Sequence, residues 1–200
     1  SEMDNSQNAN KVLGQNVEEQ ILLNNIYAII MQSKSADIAL NSVTELIGDY
    51  FHLDRITIID RDDFTQELCW CKDYKYRHLP LEIDGDTALD CASIRDDLSL
   101  TSSAFSDTDT NDLAKFGIKS YAIFKLINSG AFDSLIMFQT IEKEHNWTQR
   151  ERKQLRNISQ IISSLMMRKE TQDKLEQSQK RMRQLAFYDA IYNIPNRARL

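Results

Sequence analysis

The sequence predicts an α+β fold in which an antiparallel sheet carries terminal helices on one face and an irregular helical insert on the other. Three observations predict it. Apolar residues recur at helical spacing at both ends of the chain, whereas the middle holds short runs rich in β-branched and aromatic residues. Those runs are separated by turn-forming clusters, so neighbouring strands pair as hairpins. Only 5 Gly and 2 Pro occur in 200 residues, which favours long uninterrupted helices over a turn-rich all-β fold.

Taken in order, residues 1–10 are polar and rich in Asn and Ser, and the composition predicts fraying there. From Val12 to Met31 a helix is expected, with Val17, Ile21, Asn24, Ala28 and Met31 on one stripe. Leu22, Leu23, Ile26, Ile29 and Ile30 widen its apolar surface beyond what one groove needs. Such a helix packs on two sides, against its own domain and against another helix. Ser35 caps a second helix, whose buried face is Leu40, Val43, Leu46, Ile47 and Tyr50, with Gly48 tolerated within it.

The period then changes. Arg55-Ile-Thr-Ile-Ile-Asp60 reads as a buried strand and Leu68-Cys-Trp-Cys-Lys72 as its hairpin partner, with Asp62 and Asp63 in the turn. Residues 80–97 are acidic and irregular, with a short helix near Leu89. Leu98 to Phe105 alternates weakly as a third strand, and Asp107 to Asp112 leads into a short helix that Gly117 ends. Lys119–Ile127 and Phe132–Thr140 form an antiparallel pair about a turn at Asn128-Ser-Gly130. Thr148 caps the last helix, and Glu151 at its third position completes a capping box.

That last helix carries a second pattern. Leu155, Ile158, Ile162 and Leu165 step by three and four, which suits a domain face and a dimer seam equally. The row continues through Arg168, Gln172, Leu175, Gln179 and Met182, and its two successive steps of three around Leu165 resemble a stammer. Beyond Lys169 no domain is left to pack on, so Leu175 and Met182 predict a partner helix and a homodimer.

Charge divides along the chain. Residues 1–146 hold 12 Lys and Arg against 25 Asp and Glu, net −13, and residues 147–200 hold 12 against 5, net +7. An acidic body, and basic residues spread around a helix rather than clustered, argue against nucleic-acid binding. The three cysteines are an odd number in a chain without a signal peptide, which reads as reduced and cytoplasmic. No run is apolar enough to span a membrane.

Motifs that carry chemistry are few. Asp107-Thr-Asp-Thr-Asn111 copies the first ligand positions of a calcium loop, but Asp112 and Ile118 stand where Gly and Glu are required. Cys69 and Cys71 share a strand face, yet their one-residue spacing is not that of a zinc site, and no metal is expected. No nucleophile elbow, phosphate-cradling loop or paired catalytic carboxylates are present, and no enzyme activity is assigned to these residues.

Two family resemblances follow from particular residues. Asp37-Ile-Ala-Leu40, Phe51-His-Leu-Asp-Arg-Ile-Thr-Ile-Ile59, Phe116-Gly-Ile-Lys-Ser-Tyr-Ala-Ile-Phe124 and Trp147-Thr-Gln-Arg-Glu151 together resemble a GAF domain over residues 35–168. The resemblance implies an unknown small-molecule ligand between the sheet and the irregular insert. Trp70, Tyr74, Phe105, Tyr121, Phe124 and Phe138 are the candidates to contact it. The cysteine context that attaches a bilin in phytochrome-type GAF domains is not seen. Leu185-Ala-Phe-Tyr-Asp-Ala-Ile-Tyr-Asn-Ile-Pro-Asn-Arg197 resembles the entry to GGDEF domains, with Asp189, Pro195, Asn196 and Arg197 matching outright. Tyr192 and Asn193 stand where that family has threonine and glycine, so the implied output is a diguanylate cyclase or a degenerate relative.

The expected organisation is an N-terminal extension and helix over 1–34, a GAF-like domain over 35–168, a signalling helix over 169–186 and the start of a GGDEF-like domain over 187–200. A sensory domain controlling cyclic-di-GMP output through a dimeric helix is the first functional expectation. A ligand-free dimerisation and spacer module is the second.

Overall fold

The computed structural model describes residues 2–60, 66–77, 97–101, 117–128 and 131–187. The chain forms α1 (Glu2–Gln32), α2 (Ala36–Tyr50), β1 (Arg55–Asp60), β2 (Gln66–Cys71), a 3-10 turn (Tyr74–Tyr76), β3 (Asp97–Thr101), β4 (Ser120–Asn128), β5 (Ala131–Thr140) and α3 (Gln149–Phe187). The five strands make one sheet in the order β2-β1-β5-β4-β3, with every neighbouring pair antiparallel. The fold is therefore α+β, with a long C-terminal helix.

Local signals act where the sequence places them. Ser35 Oγ accepts from the Ile38 N–H at 3.3 Å and starts α2. The helix ends in a Schellman motif: Leu53 N–H donates to the Gly48 carbonyl (2.8 Å), His52 N–H to that of Asp49 (3.3 Å), and His52 takes φ 53°. At the start of α3 the Thr148 N–H donates to Glu151 Oε2 (2.8 Å), and the Glu151 N–H to Thr148 Oγ1 (3.1 Å). That reciprocal pair is a capping box.

The main core lies between one face of the sheet and the helices. Ile56, Ile58, Ala122, Phe124, Leu126, Ile136 and Phe138 from the strands meet Leu40, Val43 and Ile47 of α2 and Leu155, Ile158, Ile162 and Leu165 of α3. Leu22 and Ile26 bring α1 into the same cluster. Ser163 Oγ donates to the Ile127 carbonyl at 3.1 Å, tying α3 directly to β4.

Three expectations are corrected or narrowed by the structure. Leu155, Ile158, Ile162 and Leu165 are at most 4% exposed, so their row is a domain face and not a dimer seam. Leu175 and Met182, past the end of the sheet, are 58% and 67% exposed. The first helix begins at Glu2 rather than fraying to residue 10, since no helix breaker precedes Gly14. Tyr50, expected in the buried face of α2, sits at its rim, 36% exposed.

The irregular insert, the short helix near Leu89, the turns at Asp62-Asp63 and Ser129-Gly130, and the Asp107–Asp112 run lie outside the described residues. Gly117 is described and takes φ 77°, the left-handed conformation a C-capping glycine adopts. Among the described residues no helix is long and apolar enough to cross a membrane.

Candidate functional site

Strand pleating sends alternate residues to opposite faces, and the register between strands decides which side chains share a face. With Ile56 and Ile58 committed to the helices, Arg55, Thr57 and Ile59 point the other way. Arg55 pairs with Gln139, which pairs with Tyr121; Thr57 pairs with Met137, which pairs with Ile123. Two transverse rows result, one of arginine, glutamine and tyrosine, the next of threonine, methionine and isoleucine. All six side chains are buried, with exposures of 0–3%.

Polar groups on a buried sheet face have to be satisfied, because an amide or hydroxyl removed from water without a hydrogen bond costs about 1–3 kcal/mol. Arg55 Nε donates to Gln139 Oε1, and Arg55 Nη1 donates to the Tyr76 carbonyl at 3.1 Å. The Gln139 amide nitrogen lies 2.7 Å from Met137 Sδ. Thr57 Oγ1 is fully buried, and no hydrogen-bond partner for it occurs among the described residues. A guanidinium, an amide, a phenol and an unanswered hydroxyl thus share one sheet face. This set offers hydrogen-bond donors and acceptors; it contains no general base beside a nucleophile.

The 3-10 turn closes the end of this face through a rigid corner. Tyr76 O–H donates to Glu142 Oε1 at 2.6 Å, and the Ile141 and Glu142 N–H groups donate to Asp54 Oδ2 at 2.7 and 2.9 Å. Lys72 Nζ lies 3.5 Å from Glu142 and 3.9 Å from Asp54. The Tyr76 hydrogen bond holds the Glu142 carboxyl below its ordinary pKa, and the Glu142 carboxylate raises the Tyr76 phenol above its own.

The structure redistributes the six aromatic candidates. Tyr121 is on the polar face. Trp70 pairs with Ile56 and packs against the main core, and Phe124 and Phe138 lie in that core with their rings 5.8 Å apart, edge to face. These three are core residues: pleating turns them to the helices, away from the face opposite. Tyr74 is 69% exposed on the 3-10 turn. Phe105 lies outside the described residues.

The polar residues Arg55, Thr57 and Gln139 were not among the expected contacts. Their signal is present in Arg55-Ile-Thr-Ile-Ile59, where a polar residue alternates with isoleucine inside an otherwise apolar strand. Cys69 and Cys71 of β2 pair with Thr57 and Arg55 respectively, in register with the same face.

No family model and no curated protein matches the sequence. Solved structures do match the fold. A far-red-absorbing domain in its dark state with bound biliverdin IXα superposes with a TM-score of 0.62 at 13% identity, covering 74% of this chain and 99% of that one. The GAF domain of a phosphoenolpyruvate-protein phosphotransferase from Coxiella burnetii gives 0.61 at 13% identity, covering 78% and 96%. The phycocyanobilin-bound GAF domain of a cyanobacterial phytochrome gives 0.61 at 12% identity, covering 77% and 96%. The fold is that of GAF domains. At these identities the likeness shows the fold alone.

Proposed function

We propose that the chain is a sensory module whose polar sheet face binds a small molecule and whose C-terminal helix passes the occupied state to an output domain. The observation that carries this reading is the Thr57 hydroxyl, buried on the sheet face that also carries Arg55, Gln139 and Tyr121, with no partner among the described residues. A polar ligand atom in reach of that hydroxyl removes the cost of its burial. The bilins of two structural neighbours belong to those proteins; the ligand proposed here is defined by the donors and acceptors of this face.

Transmission needs only one strand. Tyr121 stands on the ligand side of β4, and Ala122, Phe124 and Leu126 of the same strand pack on the α3 side, where Leu155 to Leu165 lie. A ligand shifts this packing only by binding one arrangement of β4 and α3 more tightly than another. The paired distal helices, from Gln172 to Met182, carry that shift toward a GGDEF-type domain, and the stammer near Leu165 is where the helix phase changes. The output rests on the resemblance of Leu185 to Arg197, of which residues 188–200 lie outside the described residues. The second reading, a ligand-free spacer, draws on the Arg55–Gln139 hydrogen bond, which pairs two polar groups of this face with each other.

Native mass spectrometry of protein purified from its own cells separates the two. A small molecule bound at one per chain, released on denaturation, supports the sensory reading. A bare polypeptide mass at every stage of a gentle purification supports the spacer.

A further inference from the structure

A cleft of about 340 Å³ opens at the Asp54 corner. Three segments line it: His52 and Asp54 before β1, Lys72 after β2, and Thr140 with residues 142–145 at the end of β5. The cleft therefore lies at the ends of the strands, and none of Arg55, Thr57, Tyr121 and Gln139 of the polar face lines it. Its size falls in the range of small-molecule pockets, about 300–1,000 Å³.

Asp54 is held there from three sides. Its N–H donates to the Gln139 carbonyl and its own carbonyl accepts from the Lys72 N–H, each at 3.0 Å. Oδ2 takes the Ile141 and Glu142 N–H groups at 2.7 and 2.9 Å, which uses the two acceptor positions of that oxygen. Oδ1 meets no hydrogen-bond donor among the described residues. Lys72 Nζ is 3.9 Å from it, beyond hydrogen-bond length, on a side chain that is 55% exposed. The Asp54 side chain itself is only 5% exposed, so little water reaches that oxygen. A carboxylate this buried calls for a close cationic or N–H partner on each oxygen, and one oxygen lacks it.

The rest of the lining decides what kind of partner fits. Asp54, Glu142 and Glu144 face the ammonium groups of Lys72 and Lys143, a net charge of −1 with the two histidines neutral. Glu142 is already committed, one oxygen to the Tyr76 hydroxyl and the other to Lys72. Among the described residues no three His, Cys, Asp or Glu side chains come together as a metal set. A single open carboxylate oxygen, with hydroxyl and imidazole acceptors in the same lining, matches a group that carries several N–H donors. We propose that this cleft binds the primary ammonium of a small molecule, with Asp54 Oδ1 as its anchor. Thr140 and His52 offer acceptors for the remaining N–H groups. Amino acids and simple amines share this chemistry, and Lys143 answers the carboxylate that only amino acids carry. Lys72 competes for the same oxygen, because a ligand ammonium seated at about 2.8 Å takes the place that a mobile lysine reaches only at 3.9 Å.

Amide NMR of the whole chain, titrated at constant ionic strength with glycine, ethanolamine and tetramethylammonium, tests the proposal. The expected result is saturable movement of the Ile141 and Glu142 signals with glycine or ethanolamine and none with tetramethylammonium, which has no N–H to donate. Tighter binding of glycine assigns the amino-acid source, and equal or tighter binding of ethanolamine assigns the simple amine. Asp54→Asn keeps an oxygen for the two backbone donors but turns an NH2 group to the cleft, and is expected to weaken binding at least about tenfold. That variant also loosens the corner, so Lys72→Met, at an exposed side chain, is the second. Removing the competing ammonium is expected to tighten binding about threefold, which a purely structural Asp54 would not do. No saturation with either probe, equal shifts with tetramethylammonium, or weaker binding by Lys72→Met overturns the proposal. None of these results bears on a ligand held at Thr57.

Discussion

A Cβ built on Gly48 of α2 would lie 2.1 Å from Cη2 of the Trp70 indole on β2, and 2.3 Å from its Cζ3. Gly48 is not merely tolerated within its helix; the indole occupies the space a side chain would need. Trp70 in turn is held on the helix face by pairing with Ile56.

Gly48→Ala is therefore expected to destabilise the domain although alanine favours helix by up to about 1 kcal/mol. Overpacking of a well-filled core costs about 1–3 kcal/mol and outweighs that gain. Urea denaturation should show the loss, and combining Gly48→Ala with Trp70→Leu should recover part of it. A Gly48→Ala chain more stable than the unsubstituted one would show that the indole is not confined there.

Asp54 is 4% exposed and ties the β5 end to the strand β1 through two N–H donors, those of Ile141 and Glu142. Replacing it with Asn keeps the shape but removes the charge that strengthens both hydrogen bonds. A loss of about 2 kcal/mol is expected in chemical denaturation, with amide exchange rising first at Ile141 and Glu142.

The Tyr76–Glu142 hydrogen bond needs a neutral phenol and an ionised carboxylate, so it acts within a pH window. The carboxyl pKa is depressed from 4.5 by the Tyr76 hydroxyl, so its contribution is present above 4.5 and lost as pH falls through the lower folded value. The phenol is raised from 10.0 by the Glu142 hydrogen bond, so its contribution is present below 10.0 and lost as pH rises through the higher folded value. Across this window Tyr76→Phe is expected to be less stable than the unsubstituted chain by a constant amount, the gap closing at both ends. Denaturation midpoints of the two chains measured from pH 3 to 11 check it, and a gap independent of pH would contradict it.

What was legible in the sequence is what local chemistry determines. The cap at Ser35, the capping box at Thr148 and Glu151, and the strand Arg55–Asp60 each depend on residues within a few positions of one another. The site was less legible because it depends on register. Whether Trp70 or Cys71 lies on the polar face is decided by which of them pairs with Ile56, and that pairing is set by the hairpin and by the helices covering one face. Large aromatic side chains drew the expectation toward Phe124 and Phe138, which burial in the core explains equally well. Small polar residues inside apolar strands, Thr57 above all, mark the polar face in the sequence. The Leu155–Leu165 row could not be resolved by spacing, since a domain face and a partner helix ask for the same steps.

Thr57→Val asks whether the polar sheet face holds a ligand. Valine matches threonine in shape and lacks only the hydroxyl, whose burial costs about 1–3 kcal/mol while it is unpartnered. Native mass spectrometry of both chains, purified side by side from the original cells, reads occupancy at the site. The expected result is a bound small molecule on the unsubstituted chain and at least about tenfold weaker retention on Thr57→Val, with the stripped variant melting no lower than the stripped parent. Equal retention by the two chains, or no bound molecule on either, would contradict it.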